Sequence, residues 1–238
     1  MKLDILAFGA HPDDVELGCS GVLIKEVRNG KKVGIIDLTR GELGSRGTAE
    51  IRAQEAANAA QIIGCSIREN LELPDGFFED NNANRAIVIQ AIRKYQPDII
   101  ICNAIHDRHP DHGRGSNLLE SSAFLSGLIK IETTENNIAQ KPWRPRLVLH
   151  YLQDRWITPD VIVDISDVWE ERMESIAAHR SQFFDPGSNE PETYISSKNF
   201  FEAIESRARE IGRPAQFKYA EGFTCSRTIA VKSLGELM

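Results

Sequence analysis

The sequence predicts an α/β fold, a Rossmann-like three-layer sandwich around a mostly parallel sheet. Three observations carry this expectation. Short apolar runs alternate with segments of helical spacing through the first hundred residues. Gly, Pro and Asn stand where such elements should end. Two stretches rich in histidine and aspartate each follow directly on an apolar run, where ligands bind in open α/β sheets.

Residues 3–9 read as a buried strand, and residues 18–30 follow with Val22, Leu23 and Val27 at helical spacing before Asn29-Gly30. Residues 33–39 form a second strand, leading through Arg40 into a glycine-rich loop at 41–47. Thr48 is placed to cap an Ala- and Glu-rich helix that stops at Gly64. A third strand covers 67–73 and ends at Pro74-Asp75-Gly76. Residues 82–95 are helical, and Pro97 precedes a strongly buried strand at 98–103. Four βα units with right-handed crossovers make a doubly wound sheet. The remainder is less regular: strands at 147–152 and 161–165, helices at 168–179 and 199–211, and a loop at 183–198 expected to be mobile. With no repeat, low-complexity tract or linker, residues 1–238 read as one domain.

Charged residues make up 26% and the net charge is −7, which argues against a nucleic-acid-binding or membrane-surface protein. No apolar run reaches membrane-spanning length and no export signal is visible, so a cytoplasmic location is expected. The four cysteines, at 19, 65, 102 and 225, form no CxxC pair and read as small buried hydrophobes.

The chemistry lies in two clusters. Ala10-His11-Pro12-Asp13-Asp14 follows the first strand. His106-Asp107-Arg108-His109-Pro110-Asp111-His112 follows the fourth and holds three of the chain's six histidines. Strands one and four are neighbours across the switch point of the usual doubly wound order, so the clusters can converge. Histidine and carboxylate without thiolate suit Zn²⁺ and tolerate Fe²⁺ or another divalent metal. The loop at 41–47 has neither a GxGxxG nor a Walker pattern, which excludes a nucleotide cradle. His150 and His179 read as core or surface histidines. Tyr194, in the expected mobile loop, is a candidate to close over a substrate. Arg108 is a candidate to grip a substrate carboxylate with its planar fork, against the alternative of a surface arginine paired with Asp107.

The first cluster with Glu16, then Thr39-Arg40-Gly41-Glu42, then His109-Pro110-Asp111-His112, resembles the LmbE-like or PIG-L-type deacetylases, which remove acetyl from N-acetylglucosamine carried on various aglycones. The resemblance implies that His11, Asp14 and His112 hold the metal and leave a fourth position open. It implies that Asp13 is the general base, ionised at neutral pH beside the cation. It further implies that His109, as imidazolium, stabilises the oxyanion and protonates the leaving amine. Asp111 would orient His109 or a ligand histidine. Arg52 and Asp75 match family positions that reach the sugar hydroxyls. Val15 stands where many members place Glu, and Asp107-Arg108 precede His109. In these details the chain resembles the bacillithiol-pathway deacetylases, which act on N-acetylglucosaminyl malate. The implied partner is a small N-acetylated sugar conjugate, and the implied assembly is a homo-oligomer of hexameric type. The rival readings are an amidase on a related thiol or sugar conjugate, and a metal-binding module without catalysis. A non-ligand base and acid beside the metal favour an enzyme.

Overall fold

A computed structural model of the chain describes residues 1–183 and 187–237. Residues 184–186, inside the segment expected to be a mobile loop, and residue 238 lie outside the described residues.

The expected alternation is present. Strand β1 (Ile5–Gly9) leads into α1 (Asp14–Arg28), β2 (Val33–Asp37) into α2 (Ala49–Ile63), β3 (Ile67–Asn70) into α3 (Asn82–Tyr95), and β4 (Ile99–Cys102) into α4 (Pro110–Leu125). A small hairpin, β5 (Thr134–Glu135) and β6 (Ile138–Ala139), precedes β7 (Leu147–Tyr151) and β8 (Val161–Asp164). Helices α5 (Trp169–Ala177) and α6 (Lys198–Gly212) and strand β9 (Ala220–Thr224) complete the order. The main sheet runs β3-β2-β1-β4-β7-β9-β8, parallel from β3 through β7, with β9 antiparallel to both β7 and β8. The chain thus has the three-layer α/β fold, with β1 and β4 paired at the switch point.

Local chemistry explains the boundaries. The Thr48 hydroxyl accepts from the Ile51 amide at 3.3 Å, and Gly64 closes α2 at φ 82°, a left-handed turn that favours glycine. Helix α1 carries Asp14 and Glu16 in its first turn and Lys25 and Arg28 in its last, matching the helix dipole. It starts four residues before the expected 18–30 span, which places Asp14 on the helix itself. Alternate residues of β1 supply opposite faces of the sheet. Ile5 and Ala7 join a core with α1, α5 and α6, whereas Leu6 and Phe8 join one with α3 and α4.

Besides the β5–β6 hairpin, helix α4 and strand β9 were not expected. Helix α4 is obscured in the sequence by Gly113 and Gly115 near its start, which lower helix propensity. Gly115 serves close packing, since a Cβ there would lie 3.2 Å from Leu38 Cδ1. Strand β9 is interrupted in sequence by Glu221 and Gly222. The Glu221 carboxylate is nevertheless buried because Arg172 Nε (2.7 Å) and the amides of Gly21 and Val22 satisfy it.

A second buried network braces the sheet beneath α1. Arg68 of β3 donates through Nε and Nη2 to the two oxygens of Asp37, at 2.8 and 3.0 Å, and pairs with Glu16. Burial would raise the Glu16 carboxyl, but Arg68 and the imidazole of His179 outweigh it and hold it at about 2 against an ordinary 4.5. A carboxyl depressed on folding contributes stability above its unfolded pKa. That contribution is lost as pH falls from about 4.5 toward about 2.

Arg68→Met should therefore cost about 3–5 kcal/mol at pH 7, the usual cost of stripping one partner from a buried pair. The loss should shrink as the pH is lowered through 4, where the stranded carboxyls protonate. Urea unfolding at several pH values measures both effects, and a pH-independent loss would show that the charge on Glu16 is not what Arg68 offsets.

Candidate functional site

The ends of β1, β4 and β7 meet above the sheet, and the Asp14 carboxylate lies where they meet. Its Oδ2 accepts from the His11 amide (2.9 Å) and Asn103 Nδ2 (3.0 Å), and its Oδ1 accepts from Gln153 Nε2 (3.0 Å). The two histidines expected to act with it face the same group. His112 Nε2 stands 3.1 Å from Oδ1, and His11 Nδ1 stands 3.6 Å from Oδ2.

The far nitrogen of each imidazole is taken by other carboxylates. His112 Nδ1 lies 2.6 Å from Asp107 Oδ2. His11 Nε2 lies 3.0 Å from Asp75 Oδ1 and 3.3 Å from Asp111 Oδ2. These acceptors hold a proton on the far nitrogens, so that the near nitrogens facing Asp14 are the ones that could give their lone pairs to a cation in place of a proton. Two imidazole nitrogens and a carboxylate converging in this way fit a divalent cation. The carboxylates also raise both imidazoles. Burial opposes this, but His11 is held well above its ordinary value by Asp111, Asp14 and Asp75, and His112 is pushed up to about 9 by Asp14 and Asp107. Asp14 itself, despite burial, is held well below the carboxylate range by His112 and His11.

His109 stands in the same cluster, its ring 4.7 Å from that of His11 and 5.2 Å from that of His112. The rings of His11, His109 and His112 each offer a nitrogen within 4.8 Å of the others, and a nitrogen of His11 and a carboxylate oxygen each of Asp75 and Asp111 lie equally close together. His109 differs from the other two histidines in its partners. It caps α4, and its Nδ1 accepts from the Asp111 amide at 3.3 Å, which puts the proton of the neutral ring on Nε2. Burial, and repulsion from His11 and His112, lower its pKa, so the ring is pressed toward the neutral form, not the imidazolium that the resemblance implied.

Asp13 is the N-cap residue of α1 at φ 140°, a conformation rare for any residue but glycine. Strain of this kind costs about 1–3 kcal/mol and clusters at functional sites. Its carboxyl is buried beside Arg52, whose Nη2 lies 3.4 Å from Oδ2 and donates to the Pro12 carbonyl at 3.0 Å. Burial raises Asp13 to about 6, with Arg52 opposing and Asp14 adding to the rise. The sequence expectation considered only a neighbouring cation; burial is the larger effect here, and the group still ionises near neutral pH.

The other expected residues divide into two sets. Arg52, 5% exposed, donates from Nη1 to the Gly41 carbonyl at 3.0 Å. Gly41 has φ +65°, and a Cβ there would come within 2.0 Å of Arg52 Nη1, so the glycine-rich loop is shaped by this arginine. Asp75 lines the cavity, yet its oxygens already serve His11 and the Leu43 amide (2.9 Å). Asp111 is 0% exposed and is held by Gly76 N and Arg114 Nη1 as well as facing His11, so of the two orienting roles expected of it the geometry favours the ligand histidine. Arg108 and Tyr194 stand at the rim. Arg108 pairs with Asp154 (3.6 Å), not Asp107, and lies over the Tyr194 ring at 4.4 Å; the Tyr194 hydroxyl donates to Asp154 Oδ1 at 2.7 Å. His150 and His179 are both buried, His179 against Glu16 at 3.4 Å.

Sequence reasoning missed Asn103, Asp107, Gln153 and Asp154 as members of the site. Asn103 ties Ala10 N (2.9 Å), Asp14 and Gln153 together. Asp107 lay in the histidine-rich stretch and carried a signal. Gln153 and Asp154 carried none, since they reach the site only through the β4–β7 pairing.

An α/β sheet with a histidine–carboxylate centre at its switch point defines a protein able to hold a divalent cation against a substrate. Residues 6–123 match the PIG-L family model, described as GlcNAc-PI de-N-acetylase. A conserved protein of known structure from Thermus thermophilus is 34% identical, with a TM-score of 0.85 over 97% of this chain and 98% of that one. Diacetylchitobiose deacetylase of Thermococcus kodakarensis is 26% identical over 189 residues, 75% of this chain and 70% of that protein. The probable N-acetyl-alpha-D-glucosaminyl L-malate deacetylase 2 of Bacillus subtilis is 26% identical over 195 residues, 76% and 84% respectively. The chain belongs to the PIG-L family of deacetylases.

If His11, Asp14 and His112 are the ligands, His112→Ala should lose most of the bound metal while the chain stays folded. Asp107→Asn should weaken metal binding by roughly 10–100-fold, the usual effect of removing a carboxylate behind a ligand histidine. Metal content after dialysis and competition with a chelator measure both, and full metal retention by His112→Ala would remove it from the ligand set.

Proposed function

We propose that this protein is a metal-dependent N-deacetylase, using zinc or another divalent cation, that hydrolyses the acetamide of an N-acetylglucosamine conjugate. The observation that carries this reading is the arrangement around Asp14. Two imidazole nitrogens face it there, and a buried carboxylate (Asp13) and a further imidazole (His109) stand beside them, the latter with no hydrogen bond to a carboxylate among the described residues. A pure binding site has no use for those two extra groups.

His11, Asp14 and His112 would hold the cation. When bound, it polarises the acyl carbonyl and acidifies the attacking water. Asp13 takes the proton of that water as its oxygen bonds to the carbonyl carbon. His109 donates a hydrogen bond from Nε2 to the oxygen where negative charge develops. As the C–N bond breaks, the amine takes up the proton that Asp13 had accepted, and acetate and a free amino sugar leave. Arg52, bonded to Pro12 and Gly41, holds Asp13 in its strained position, and Asp75 steadies His11 while lining the sugar side of the cavity.

The finer reading is that the substrate is N-acetylglucosaminyl malate, as in bacillithiol biosynthesis. It is supported by the Bacillus subtilis relative and by Arg108, whose side chain is 47% exposed at the cavity rim. Exchange of Asp154 for a substrate carboxylate would keep that arginine paired. A cytoplasmic homo-oligomer remains the assembly and location proposed; no helix among the described residues is long and apolar enough to cross a membrane.

Asp13→Asn should keep the metal while kcat falls by roughly 10²–10⁴, the usual share of acid–base catalysis. Steady-state assays on N-acetylglucosamine conjugates, beside a metal determination, decide this; a fully active variant would exclude Asp13 as the base.

Arg108→Ala should lower kcat/KM on N-acetylglucosaminyl malate by roughly 10–150-fold, the worth of one charge-assisted contact. Plain N-acetylglucosamine, which has no carboxylate, should be nearly unaffected. Equal losses on the two would mean that Arg108 supports the site generally.

A further inference from the structure

The cavity holding the histidine–carboxylate centre does not end there. Its volume is about 600 Å³, within the range of roughly 300–1,000 Å³ typical of sites for drug-sized ligands. Helix α6 contributes Phe200, Ala203, Ile204, Arg207, Ala208 and Ile211 to its wall. Spacings of three and four put these residues on one helical face. From Phe200 to Ile211 that face covers about 16 Å at the standard helical rise. Across from it lie Leu17, one turn beyond Asp13 on α1, then Leu152 and the backbone of β9 at Gly222.

Most polar groups of this inner part are already engaged, the buried Nε of Arg207 being the one without a partner among the described residues. Both oxygens of Glu221 are taken by Arg172 Nε and the Gly21 and Val22 amides. Arg172 Nη2 donates to the Leu17 carbonyl, and its Nη1 lies 3.8 Å from the Met173 sulfur. The Arg207 Nη groups donate to the carbonyls of Asp154 and Arg155. Sugar hydroxyls placed here would lose water without gaining acceptors, which is costly. Arg108, Asp154 and Tyr194 instead gather polar groups at the mouth.

We propose that the inner chamber is an acyl-chain subsite, so that the enzyme hydrolyses linear saturated N-acyl groups of about six carbons as well as acetyl. This rests on the deacylation reading above. The acyl side of the amide enters between Leu17 and α6 while the amino sugar stays at the polar mouth. Water adds to the carbonyl carbon, the C–N bond breaks, and the products are the fatty acid and the amine. An acetyl group extends a single carbon–carbon bond past its carbonyl, about 1.5 Å, and leaves most of the α6 face untouched.

The test compares N-acetyl- and N-hexanoylglucosamine, and measures octanoate binding by saturation-transfer NMR. Each buried methylene is worth about fourfold, so kcat/KM for hexanoyl should exceed that for acetyl by roughly 10–200-fold. Ala208→Phe, and the less buried Ala203→Phe should the first not fold, should lower the hexanoyl-to-acetyl ratio at least tenfold. A wild-type ratio at or below one, or a ratio unmoved by the variants, overturns the chamber while leaving acetamide hydrolysis standing. If neither amide is cleaved, the deacylase reading fails. The chamber is then judged by octanoate alone: binding that the variants abolish supports it, and no binding to the wild type overturns it.

Discussion

The placement of the Asp14 carboxylate is the constraint on which the rest of the site depends. A carboxylate this deeply buried is tolerable only with its oxygens satisfied. The donors come from the loop after β1, from Asn103 at the end of β4 and from Gln153 after β7. Three strand ends far apart in sequence are thereby drawn to one point, and two imidazoles close over it. The parallel pairing of β1 with β4 and of β4 with β7 makes this possible, because it brings the carboxyl ends of all three strands to the same edge.

Around that point charge is arranged in layers. Asp107, Asp75 and Asp111 stand behind the imidazoles and orient them. Arg52 stands beside Asp13 and is itself pinned by two carbonyls, so the one strained residue of the site is held by groups that cannot easily move. Beneath this layer, Glu16–Arg68–Asp37 and Glu221–Arg172 tie α1 to β2, β3, β9 and α5. Buried ion pairs are weak evidence for stability in themselves. Here they fix the height and rotation of α1, whose first turn carries Asp13 and Asp14.

The cavity divides by polarity. Its mouth is ringed by groups suited to a hydroxylated or charged ligand, and its inner wall is an aliphatic stripe on α6. That division follows from the fold, since α6 packs against β9 and β8 and buries Ile204, Ala208 and Ile211.

The alternation of strands and helices was legible because periods of 2 and 3.6 are local properties of side-chain direction. The histidine–aspartate clusters were legible because metal-capable residues at strand ends have few other uses. Helix α4 and strand β9 were not, because glycines and a buried glutamate concealed them until their packing partners were known. The sequence also indicated which residue types meet at the site and that the two clusters can converge, and the resemblance to a family implied that His11, Asp14 and His112 act together. Only the tertiary structure decided which carboxylate faces which imidazole nitrogen, that Asp107 serves His112 and leaves Arg108 to Asp154, and that Gln153 belongs to the centre. The reason is physical: a side chain's partner is set by long-range register and burial, and a pairing such as Asp14 with Gln153 exists only once β4 has docked between β1 and β7.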